Sequence, residues 1–150
     1  MFGSVRFKNI RLTVFSLICA AVFIAVCLIA LKAGAPDTVS VGSGDYSLSV
    51  ADEADISAFI SVCGYDDADL ISDTDITVPK HWNTAYTVYN DMQLAQGFDL
   101  TPYKGKSARE LVFSLSDSPE RLYLLLCDDK IIAAHICSHD GSSVRPLISD

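Results

Sequence analysis

The stretch RELVFSLSDSPERLYLLLCDDKIIAAHICS, residues 109–138, decides the fold, because it reads as three strands separated by two tight turns. From Arg109 to Ser116 the apolar residues Leu111, Phe113 and Leu115 alternate with polar ones, the period of a strand with one face on a core. Asp117-Ser118-Pro119-Glu120 turns the chain, Arg121 to Cys127 makes the next strand, Asp128-Asp129 turns it again, and Lys130 to Ser138 makes the last. The final hairpin admits two registers. A two-residue turn puts Leu122, Leu124 and Leu126 on the face of Ile131, Ala133 and His135, whereas one more loop residue pairs them with Ile132, Ala134 and Ile136.

Working outward, Phe98 to Lys106 is a turn-rich connection, and Lys80 to Gln96 before it predicts a helix. Its stripe is Trp82, Ala85, Tyr86, Tyr89, Met92 and Ala95, closed by a glycine suited to the left-handed cap. Leu70 to Val78 alternates loosely among Asp and Thr and stops at Pro79, the pattern of an exposed edge strand. A short helix follows Ser49, with Ile56, Phe59, Ile60 and Cys63 at helical spacing behind an acidic first turn. These elements predict a small two-layer α+β domain over residues 49–141, an antiparallel sheet of about four strands with two helices on one face. A flexible linker, 33–48, is expected before it and a frayed tail, 142–150, after it.

Further out, Leu12 to Leu31 is uncharged for twenty residues, about 30 Å as a helix, the thickness of a bilayer core. Arg6, Lys8 and Arg11 precede it and every acidic residue follows, which predicts a cytoplasmic tail at 1–11, a transmembrane helix at 12–32 and the domain outside the cytoplasm. A cleaved signal peptide fits less well, because the run is long and Pro36 would follow the cut.

Beyond the anchor, seven Lys and Arg stand against nineteen Asp and Glu, a net charge of −12 that argues against nucleic acid as a partner. Cys63, Cys127 and Cys137 are an odd number and so not a disulfide framework.

Thr77-Val78-Pro79, a helix carrying Tyr86, Tyr89 and Asn90, and the run QGFDLTPYKGK at residues 96–106 together resemble the domain of unknown function 4830 family of bacterial single-pass membrane proteins. The similarity runs from about Ser49 to Gly141 and implies location and fold. That family has no assigned activity, so the resemblance assigns no catalytic residue and no cofactor.

His135, Cys137 and His139 alternate on one strand face and are the candidate ligands for zinc or copper, against the simpler reading of a half-exposed strand. Asp66, Asp67, Asp69, Asp73 and Asp75 lack the glycine and distal glutamate of a calcium loop and read as a solvated acidic face. Gly105-Lys106-Ser107 lacks the glycine that a phosphate loop needs five residues earlier. Tyr103, Lys104 and Lys106 form a basic and aromatic spot where a carboxylate-bearing partner could dock, or else part of a clamp that holds the second helix to the sheet. The expected function is a membrane-anchored, extracytoplasmic interaction or sensing module without catalysis, its partner a protein or wall component. The alternative is an extracytoplasmic hydrolase or a thiol- or metal-dependent enzyme whose residues are scattered along the chain.

Overall fold

The computed structural model describes residues 37–42, 44–116 and 118–148. They form β1 (Thr38–Val41), β2 (Gly44–Ser47), α1 (Glu53–Val62), β3 (Ala68–Thr77), α2 (Thr84–Ala95), a 3-10 turn (Thr101–Tyr103), β4 (Ser107–Leu115), β5 (Ser118–Leu126), β6 (Ile131–Cys137) and β7 (Val144–Pro146). β3 to β7 make one antiparallel sheet in sequence order, and β1 and β2 pair separately.

Strand pleating sorts this sheet into two faces. Register sets Phe113 across from Leu122 and Leu122 across from Ile136, and Leu111 across from Leu124 and Leu124 across from Ala134. These residues share a core with Ile56, Phe59 and Ile60 of α1 and with Val39, Leu48 and Val50. The alternate residues Leu125, Ala133 and Ala108 point the other way, into a second core with Val78, Leu100, Tyr103 and the aromatic rings of α2. The helices therefore lie on opposite faces. The expectation of about four strands with both helices on one face is corrected to five strands with a helix on each side, plus a two-stranded hairpin. The cause is two-sided burial of β5 and β6, whose runs Leu122 to Cys127 and Ile131 to Ala134 are apolar almost throughout.

The hairpin ambiguity resolves into both registers. Asp128 and Asp129, at φ 50° and 57°, make a two-residue turn that pairs Leu126 with Ile131, and an irregularity between Leu125 and Leu126 then shifts the rest of the ladder so that Leu124 meets Ala134.

Local chemistry sets the helix ends. Asp52 caps α1 by accepting from the amides of Ala54 and Asp55, and the Asp55 carboxylate reaches back to the amide of Ala51 at 2.7 Å. Asn83 caps α2 through the amide of Tyr86. At its far end the amides of Gly97 and Phe98 donate to the carbonyls of Leu94 and Gln93, and Gly97 takes φ 92° where a side chain would press on Val39.

Three further expectations change. The described part of the expected linker, residues 37–42 and 44–48, holds the paired strands β1 and β2, with Val39 and Leu48 buried. The expected tail holds β7 and the buried Leu147. The expected anchor at 12–32 lies outside the described residues, and no helix among the described residues is long and apolar enough to cross a membrane. Their longest helix has 12 residues, about 18 Å against the roughly 30 Å required. The single-pass membrane placement, and with it the location outside the cytoplasm, is corrected to what the described residues show, a small sheet-rich domain with no membrane-spanning helix among them.

Candidate functional site

The end of β3 and the loop after the 3-10 turn are bound side by side. The Val78 amide donates to the Lys106 carbonyl at 3.0 Å, and the Gly105 amide donates to the Val78 carbonyl at 2.8 Å. The loop is held from below by Asn90, whose buried side-chain oxygen accepts from the Leu100 amide at 2.9 Å, and by Asp99, which accepts from the Thr101 amide. Leu100 and Tyr103 are consequently buried while Lys104 and Lys106 stand out.

This joint gathers residues from two distant segments at one corner. Trp82 donates its indole N–H to the Pro79 carbonyl at 3.0 Å, which fixes its ring, and Lys104 Nζ sits 3.7 Å from the ring centroid. Lys106 Nζ lies 5.1 Å from the Tyr103 centroid, and the stem of Lys80 runs near enough to Gly105 that a side chain there would touch it. Among the described residues three cations are in ion pairs: Arg109 with Asp73, Lys130 with Asp37 and Arg145 with Glu120. Of the four without one, Lys80, Lys104 and Lys106 meet at this corner, and Arg121 sits toward the other end of β5.

From Trp82 an aromatic row continues across the sheet. Trp82 and Tyr86 are 5.5 Å apart, Tyr86 and Tyr89 5.8 Å, and Tyr89 meets His135 edge-on at 5.4 Å. The Tyr89 hydroxyl shares a 3.0 Å hydrogen bond with His135 Nδ1, and Tyr123 stacks on the imidazole at 4.8 Å. Burial holds the His135 pKa down, to about 4, and holds the Tyr89 phenol well above its usual range.

The expected metal trio does not come together. His135 is enclosed by two tyrosines, Cys137 is half-buried at the end of β6, and His139 is exposed beyond it. Among the described residues no group of three His, Cys, Asp or Glu is placed to hold a metal ion. The acidic residues divide: Asp66 accepts from the Ser61 hydroxyl, Asp73 pairs with Arg109, and Asp69 and Asp75 are exposed on β3. The described thiols are unpaired, and burial pushes Cys63 up to about 11 and raises Cys127, which keeps both in the poorly nucleophilic protonated form near neutral pH.

Sequence reasoning placed Tyr103, Lys104 and Lys106 together but missed Lys80 and Trp82 as their neighbours. The available signal was Pro79 at the end of an edge strand, which hands the next residues to the same corner as the glycine-bounded loop. It also missed Gln93 and Gln96, buried polar residues on the inner side of α2. Comparison of the chain with models of known families, with curated proteins and with solved structures returned no match.

Proposed function

We propose that this domain is a non-catalytic interaction module that docks an acidic segment of a partner protein at the corner formed by Lys80, Trp82, Tyr103, Lys104 and Lys106. The observation that carries it is a corner where Lys104 stands over Trp82 and Lys106 over Tyr103 with Lys80 beside Gly105, three lysines outside the ion pairs of the described residues, in a domain of strong negative charge. A partner's glutamates meet cations there that are in no ion pair, and the rings offer apolar area without flexible side chains to order. Electrostatic repulsion from the rest of the surface narrows where such a segment can settle.

A thiol or histidine enzyme is less well supported. The Cys63 and Cys127 thiols are held protonated, and the His135 ring is enclosed by Tyr89 and Tyr123.

The test is fluorescence anisotropy with a labelled glutamate-rich peptide against the wild-type chain and a Lys80→Ala, Lys104→Ala, Lys106→Ala variant. At least a tenfold loss of affinity at unchanged melting temperature is expected. Equal binding by the two proteins would sink the proposal.

A further inference from the structure

The two edges of the five-stranded sheet are finished differently. Along β6 every stretch of the outer edge is occupied: Ser49 bridges Lys130, the Ile131 amide donates to Leu48, the Gln93 side chain bonds both backbone groups of Ala134, and β7 covers His135 to Cys137. At the opposite edge β3 is the longest strand, 10 residues, and among the described residues it has β4 alone as a neighbour. Its residues are exposed over nearly the whole length, including Leu70 at 49% and Ile71 at 50%.

Beside this open edge, on the α1 side of the sheet, lies a groove of about 180 Å³ lined by Glu53, Ile56, Leu70, Asp73, Leu111 and Phe113. Register places Leu70 across from Phe113 and Asp73 across from Leu111, so both side chains stand on the groove's face. A strand laid along β3 would thus find backbone groups to pair with and, on alternate positions, a recess of mixed lining where Leu70 and Ile56 stand beside Glu53 and Asp69, the two things strand addition requires.

Charge selects the occupant. Glu53, Asp69, Asp73 and Asp75 surround the edge, with Arg109 the cation among them. A second copy of β3 is disfavoured: antiparallel pairing centred on Ser72 sets Asp69 of one copy against Asp75 of the other, and centring on Asp73 sets that residue against itself. The acids that bar self-pairing attract a strand carrying lysine or arginine. We infer that the outer edge of β3 docks an extended basic segment of a partner protein as a sixth strand, with lysine or arginine beside Asp69 and Asp75 and an apolar side chain beside Leu70. This surface is opposite in sign to the lysine corner, which begins where β3 ends.

The experiment uses the full chain and a peptide of about ten residues, the length of β3, with alternating Lys and Val and one Leu. Binding is followed by anisotropy and mapped by backbone amide hydrogen exchange. Slowed exchange in Ala68 to Thr77, tenfold or greater weakening by Asp69→Asn with Asp75→Asn, and loss of binding when alternate peptide nitrogens are methylated on one register only are expected. The methylated peptides leave the protein untouched, so they test pairing even if the variant is unstable. Equal binding of a peptide with Ser for Lys, protection away from β3, or self-association of the chain through β3 would each overturn the inference. The variant that removes the three corner lysines should bind this peptide as well as wild type does, which separates the outcome from that of the first proposal.

Discussion

The side-chain amide of Gln93 exchanges two hydrogen bonds with the backbone of Ala134, Nε2 donating to the carbonyl and Oε1 accepting from the amide, each at 3.0 Å. A glutamine from α2 thereby takes the place of a rung in the ladder where β7 has not yet reached β6. Gln96 extends the substitution by accepting from the amides of Leu147 and Ile148 and donating to Ala134. Because both glutamines are buried, these bonds have no water to replace them.

Gln93→Met keeps the side-chain length and leaves the Ala134 amide buried without an acceptor, while Gln96 still serves the carbonyl. A loss of about 2 to 3 kcal/mol in urea denaturation is expected, with a melting temperature lower by roughly 10 °C. A change under about 0.5 kcal/mol would mean that this edge tolerates water.

His135 predicts a pH dependence. Its folded pKa is about 4, below the ordinary value near 6.5, so the unfolded chain takes up a proton first as pH falls. The associated stability is fully present above about pH 6.5 and is lost progressively down to about pH 4, by up to roughly 3 kcal/mol. Denaturation curves between those limits should show this slope in the wild type and not in His135→Phe.

At the Asp128-Asp129 turn both residues occupy left-handed backbone with φ above 50° or at it, which costs a side-chain-bearing residue more than glycine. Asp129→Gly should raise stability by about 0.5 to 1 kcal/mol, measured by thermal or urea unfolding, with the Val50-to-Asp129 backbone hydrogen bond retained.

Cys127 and Cys137 should not form a disulfide. Cys137 faces Arg121, six residues before Cys127, a separation of about 20 Å along the strand where a bridge allows no more than about 7 Å. Mass mapping of the oxidised chain should find no such link. Alkylation of the native chain should modify the half-buried Cys137 before Cys127, whose thiol donates to the Ser107 carbonyl at 3.3 Å.

Much of the sheet was legible because its core face obeys a period of two: Leu111, Phe113 and Leu115, then Leu122, Leu124 and Leu126, announce β4 and β5 directly. The opposite face was present in the same text, as the unbroken apolar runs of β5 and β6, but alternation alone does not reveal it. The position of α2 was hidden more deeply, since the residues it buries best are Asn90 and Gln93, followed by its cap Gln96, and periodicity counts them as solvent-facing. Exposed Ala85 and Ala95 were assigned to its apolar stripe for the same reason. β1 and β2 are four residues each and rich in Ser, Gly and Asp, so composition reads them as a spacer. At the lysine corner, the cations were visible in sequence but the Val78–Lys106 pairing that adds Lys80 and Trp82 was not.

Strand order that follows chain order has a kinetic consequence. Closing the β5–β6 hairpin spans two turn residues, whereas joining β3 to β4 must first gather residues 78–106, with α2 among them. The difference in loop-closure entropy is on the order of 2 kcal/mol. Folding is thus expected to nucleate on β4, β5 and β6 and to recruit β3 late, so that substitutions in β3 speed unfolding while those at Leu122 or Leu124 slow refolding.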